Sequence, residues 1–185
     1  MNKMLGLMSM VVFAAGCDKK VTDADDIPDG VATGELQVLL DATADEGSLS
    51  TSVEEVWLRF EDILVQHEDR GWISIGEDRA DVDLMALRGG EPIAIGTGDV
   101  YEGAYDAIQL LIADSWIVVD GQEESLTIAS GFDLPGDGVD FAASLFVDES
   151  TATSVLIGWS LDEELSFDGD GWILGTGATV NVDLE

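Results

Sequence analysis

Residues 53–75 read VEEVWLRFEDILVQHEDRGWISI, and the choice between strand and helix over this stretch decides the fold. Val56, Leu58 and Phe60 alternate with polar neighbours, the period of a half-buried strand, and the apolar parity then flips to Ile63 and Val65. A flip inside one apolar run predicts a β-bulge at Glu61-Asp62. Val53, Trp57, Phe60 and Leu64 also fall at helical spacing. The strand reading prevails because Asp69-Arg70-Gly71 is turn chemistry and returns the chain into Trp-Ile-Ser-Ile as a hairpin.

The same alternation recurs on both sides. Leu36, Val38 and Leu40 alternate in GELQVLLD, and Val139, Phe141, Ala143, Leu145 and Val147 do so over nine residues. Val155, Ile157, Trp159 and Leu161 repeat it, which assigns Trp159 to the core. Shorter runs lie at Pro92 to Ile95, Tyr105 to Ala113, Trp116 to Val119, Leu126 to Ile128, Trp172 to Leu174 and Ala178 to Val182, with Asp120-Gly121 as a hairpin turn. Asp81 to Leu87 reads as a short helix or a turn. Eight to eleven short strands in this length predict an all-β fold. The expected architecture is a two-sheet antiparallel β-sandwich, Ig-like or transthyretin-like. No internal repeat of fixed period occurs.

The opening residues, MNKMLGLMSMVVFAAGC, have a positive Lys3, an uncharged apolar run from Met4 to Ala15, and small residues leading to Cys17. This is the layout of a secretory signal peptide, and a run of that length is too short to span a bilayer. Gly16-Cys17 matches the end of a bacterial lipobox, with Ala14 standing where Leu is usual; the expected lipid attachment site is Cys17. The other reading is a simple secretory peptide cut near Ala15. Residues 18–32, DKKVTDADDIPDGVA, show no hydrophobic period and read as a solvated tether. The expected organisation is a signal peptide at 1–16, the lipidated Cys and acidic tether at 17–32, and the β-sandwich domain at 33–185.

The 185 residues carry 39 acidic and 7 basic side chains, a formal charge of −32. Loss of residues 1–16 removes Lys3 and no acid, and beyond Lys20 the cations are Arg59, Arg70, Arg79 and Arg88. A hydrophobic fraction of 46% predicts a folded core rather than a disordered acidic segment. The charge argues against nucleic acid as a partner, because phosphates are neutralised by clustered Lys and Arg. One Cys and one His give neither an internal disulfide nor a Cys/His zinc cluster.

Motifs for chemistry are sparse. No Gly-x-Ser-x-Gly elbow, phosphate loop or His-Glu-x-x-His occurs, and His67 has no Cys or Ser partner nearby in sequence. No catalytic residue is assigned and no cofactor is required. The segment LDEELSFDGDGW offers Asp162, Glu163, Glu164, Asp168 and Asp170 around a turn, with Asp162, Asp168 and Asp170 as candidate calcium ligands. It departs from the EF-hand pattern, and an ordinary Asp-Gly hairpin turn between strands is the favoured reading. Trp57 is out of phase with the apolar positions of its strand, which makes it a candidate for stacking on a sugar or a protein partner. The favoured reading is a side chain that packs under a loop or caps the other side of the strand.

Several segments in order are similar to one known family. GELQVLLDA is followed by SVEEVWLRFEDILV, the Trp-Ile-Ser-Ile hairpin, VDLMAL, EGAYDAIQLLI, VVDG with LTI, SLDEEL, and a Gly-Trp-Ile-Leu strand. This succession, from residue 33 to about 183, resembles the prokaryotic lipoprotein family called domain of unknown function 4382. Where that family has an aliphatic-Asp-aromatic-Asp run, this chain has IGWSLD and keeps Asp162. The resemblance implies an extracytoplasmic β-sandwich lipoprotein and brings no catalytic residues with it. The expected function is therefore that of a membrane-anchored protein of the cell envelope, on its periplasmic or cell-surface face. It would touch the membrane through its lipidated N-terminus and either bind an envelope or extracellular ligand or serve as a structural component, without catalysis. The alternatives are a calcium- or glycan-binding adhesin-like module and, in another class, an acidic-pair hydrolase.

Overall fold

The computed structural model describes residues 21–44, 52–76, 81–129 and 138–184. In chain order the elements are β1 (Val21–Asp23), a 3-10 turn (Ala24–Asp26), β2 (Thr33–Thr43), β3 (Val53–His67), β4 (Gly71–Ser74), β5 (Asp81–Asp83), α1 (Leu84–Leu87), β6 (Ile93–Tyr101), β7 (Gly103–Val119), β8 (Gln122–Ile128), β9 (Val139–Val147), β10 (Thr153–Ser160), α2 (Leu161–Glu164), β11 (Leu165–Phe167), β12 (Trp172–Leu174) and β13 (Thr179–Leu184).

They form two sheets. The larger runs β1-β4-β3-β7-β8-β12-β11, with β5 added to β3 and β9 added to β7; the smaller runs β13-β10-β2-β6. The all-β sandwich expected from alternation is present. Both sheets are mixed rather than purely antiparallel, because β1 on β4, β10 on β2 and β12 on β8 are parallel pairs. Parallel partners need long crossovers and cannot be read from hairpin turns. β8 and β9 share one edge of the 17-residue β7, β8 pairing with Trp116–Val119 and β9 with Gly103–Leu110.

The core lies between the sheets. β9 has the buried-exposed alternation its sequence shows, at all nine positions. Opposite it, Leu36, Val38, Leu40, Val155, Ile157 and Trp159 are fully buried on the smaller sheet. Trp159 meets Phe141 edge to face with centroids 6.0 Å apart, and its Nε1–H donates to Gly175 O at 2.8 Å. That bond satisfies the one polar atom of the largest buried side chain, as a buried indole requires.

β3 and β7 are bulged together. Arg59 pairs with Asp114, Phe60 with Ile112 and Asp62 with Leu111, so Ala113 on β7 and then Glu61 on β3 are the extra residues. The parity flip at Glu61-Asp62 is this bulge, and the matching one in β7 explains why that strand continues where two separate strands were expected. Asp114 and Ser115 interrupt the apolar run without breaking the ladder, since Asp114 pairs with Arg59 and the Ser115 hydroxyl donates to Leu126 O at 2.7 Å. Asp120 and Gly121 have φ of +49° and +71°, the two left-handed residues of a tight hairpin turn.

Two expectations are corrected here. Asp81–Asp83 is a short strand on β3, and only Leu84–Leu87 is helical, started by Asp83, whose carboxylate accepts from Met85 N at 2.9 Å and Val56 N at 3.1 Å. Residues 21–32, read as solvated tether, lie on the domain: β1 pairs with β4, and Ala24, Ile27 and Val31 pack against the core. Three apolar side chains among acids carry no period, so composition alone conceals the contact. Cys17, Lys19 and Lys20 lie outside the described residues.

Candidate functional site

The outer face of the larger sheet brings together the polar and aromatic residues that alternate with the core. Across β5, β3 and β7 the register aligns Asp83, Trp57 and Trp116, and next to them Asp81, Arg59 and Asp114. The two indoles stack with centroids 5.6 Å apart and planes within 10°. Trp57 Nε1–H donates to Glu55 Oε2 at 2.6 Å. The Arg59 guanidinium lies 5.2 Å from the Trp116 ring centre and bonds both Asp81 oxygens, at 2.7 and 2.8 Å, with Asp114 at 3.7 Å. The bidentate bond holds Asp81 below the ordinary carboxylate range and raises Arg59.

Trp57 is thus half-buried with one face on Trp116. The sequence reading missed Trp116 and Arg59 as its partners. Their signal was parity, since Trp116 is out of phase with Ile117 and Val119 just as Trp57 is with Val56 and Leu58. The arrangement couples two strands through π-stacking, a cation–π contact and an ion pair, and leaves the indole edges for any ligand.

The three calcium candidates do not converge. Asp162, on α2, accepts from the Ser160 hydroxyl at 3.0 Å. Asp168 accepts from the backbone N–H groups of Asp170 and Gly171 at 2.9 and 3.0 Å, and these bonds lower its pKa. Its carboxylate therefore closes the turn in which Gly169 has φ of +101°. Among the described residues no three His, Cys, Asp or Glu side chains meet as a metal site. Glu164 turns to a different partner: its carboxylate accepts from Gly177 N at 3.1 Å, and a Cβ on Gly175 or Gly177 would collide with it. The Gly-Thr-Gly spacing in the sequence carried that signal.

His67 is buried where two hairpins meet. Its Nδ1 accepts the Asp69 N–H at 3.0 Å, which leaves Nε2–H to donate to Glu102 O at 3.3 Å. Tyr101 and Tyr105 flank the ring edge to face, and Arg70 caps Tyr101 at 4.2 Å. The buried Tyr105 phenol donates to Tyr101 O at 2.7 Å, and burial pushes its pKa far above the ordinary value. Both imidazole nitrogens are engaged by backbone groups, so the residue joins turns. A cleft of about 500 Å³ between the N-terminal turn and the sheets is lined by Asp23, Asp25, Ser74, Gly76, Thr97 and Gly98 among others.

No curated protein and no solved structure matches the chain. A family does, over residues 33–162, a span that begins with β2 and ends inside α2, short of β11, β12 and β13. That span is more than half of the sequence, and by it the chain belongs to the family Domain of unknown function (DUF4382).

Proposed function

We propose that the chain is a membrane-anchored extracytoplasmic lipoprotein whose β-sandwich acts by binding or as a structural component of the envelope, without catalysis. The observation that carries this reading is the position of Cys17, the single cysteine, at the end of a short apolar segment and four residues before the first strand. An acyl-modified cysteine with two or more chains holds a protein on a bilayer stably, at about 0.8 kcal/mol per buried methylene. His67 supports the non-catalytic part, since both its nitrogens serve backbone groups. Asp81 and Asp114 do as well, since both turn to Arg59 rather than to a shared cleft. The excess of acids weighs against nucleic acid as the ligand.

The test is a Cys17→Ala variant of the full chain, compared with the unaltered protein by membrane fractionation and intact mass. The unaltered protein should pellet with membranes and carry acyl mass on Cys17, and the variant should lose both. A variant that is processed and pellets as before would refute the lipid anchor.

A further inference from the structure

The described chain enters the sandwich at one end of its strands. β1 runs parallel to β4 with Val21 beside Trp72 and Asp23 beside Ser74. Gly71, next to Trp72, pairs with His67, the last residue of β3. The same end continues across the sheet through Tyr105, opposite His67, and Leu145, opposite Tyr105. Val21 therefore points its upstream backbone toward the end that holds turn 68–70, Glu102, Gly103 and Phe146. The Asp120-Gly121 turn and the Trp57–Trp116 pair belong to the other end, where Val53 pairs with Val119. The 15 residues of β3 separate the two ends by about 50 Å, at roughly 3.3 Å per residue.

We propose that β1 is an orienting strand, which holds the turn 68–70 end of the domain toward a lipid surface and directs the Asp120-Gly121 end away from it. This rests on the lipid-anchored reading above. From Cys17 to Val21 the chain has four steps and reaches at most about 14 Å in any conformation. An attachment that short allows the bilayer only at the end where β1 begins. Val21 and Phe146 are exposed apolar side chains there, at 42% and 55%, and Arg70 is an exposed cation. Glu68, Asp69 and Glu102 are exposed at the same end and oppose anionic headgroups, so this end faces the lipid without sinking into it. The domain's acidic remainder is repelled by the same headgroups, which raises the long axis from the surface.

The experiment uses the full, processed chain in vesicles of phosphatidylethanolamine and phosphatidylglycerol that carry a headgroup energy-transfer acceptor. A donor is placed through Glu68→Cys in one variant and Gln122→Cys in another, and intact mass reports the state of Cys17. With Cys17 acylated, transfer from position 68 should be at least threefold more efficient than from position 122. Adding Thr22→Pro, which removes a backbone donor from β1, should reduce that ratio while circular dichroism shows the sandwich intact. Equal transfer from both positions on an acylated chain would overturn the orienting strand and leave the anchor standing. A chain bound without acylation would overturn the anchor, and this inference with it.

Discussion

Gly103 lies with its backbone against the His67 ring: a Cβ at position 103 would stand 2.5 Å from Nε2, at a φ of +144°. The contact lets the β6–β7 turn close over the imidazole and present Glu102 O to it. Gly103→Ala should therefore lower stability by about 2 kcal/mol or more, combining backbone strain with displacement of the ring. Gly121→Ala is the control, since Gly121 also has positive φ but open space around it. It should cost about 1 kcal/mol, the left-handed penalty alone. Urea unfolding of both variants checks the order, and equal losses would mean that the His67 contact contributes nothing.

Trp57 and Trp116 should be energetically coupled. A double-mutant cycle with Trp57→Ala and Trp116→Ala is expected to give an interaction of about 0.5–1.5 kcal/mol, the range for aromatic pairs. Strict additivity in thermal or urea unfolding would contradict the stack.

The acid limb of stability has identifiable contributors. Asp168 is held down by the Asp170 and Gly171 N–H groups, Asp148 by the Ser150 hydroxyl and N–H, and Asp81 by Arg59. Folded-state values below the unfolded ones mean stability that is present above the ordinary carboxylate pKa and lost as pH falls through the lowered values. The loss should fall below about pH 4. Asp168→Asn keeps an acceptor for the turn and removes the proton uptake, so its unfolding midpoint should vary less with pH there than that of the unaltered chain. The groups are exposed and solvent-screened, so the effect is small in size and definite in sign.

Salt should stabilise the domain. With 39 acids and few cations, self-repulsion dominates the exposed ion pairs, and counter-ions screen it over about 8 Å at physiological strength. From low salt to molar NaCl the melting temperature should rise by at least about 3 °C, the shift that about 1 kcal/mol produces in a chain of this size. A flat or falling curve would show that the surface charges are already balanced in the fold.

Strands with a clean apolar alternation and the turns of hairpins were readable from the sequence, and the pairings made across crossovers were not. β9 shows its buried face at every second residue, and Asp120-Gly121 and Asp69-Arg70-Gly71 announce their turns through residues that accept positive φ or initiate turns. The parallel pairs β1–β4 and β10–β2 leave no local mark, because nothing near Val21 or Thr153 names its neighbour. Trp57 was visible as out of phase, but its partner Trp116 follows from register set by two bulges, which no window over one strand contains. The carboxylates of 162–170 looked like one cluster in sequence. In the fold α2 and β11 send Asp162 to Ser160 and Asp168 to its own turn.

The paired bulges at Ala113 and Glu61 carry a rule for how this domain can change length. Each extra residue shifts the apolar parity along its own strand while the same face stays inward, and the second restores the register that the first displaces. Deleting Glu61 alone would make β3 regular at that point, with Phe60 opposite Ile112, Asp62 opposite Leu111 and Ile63 opposite Leu110, so Phe60, Ile63 and Val65 would still point inward. Deleting Ala113 alone would do the same for β7, keeping Asp114 opposite Arg59 and Ile112 opposite Phe60. The two bulges are therefore the places where each strand can lose one residue independently of the other and keep its apolar side chains in the core.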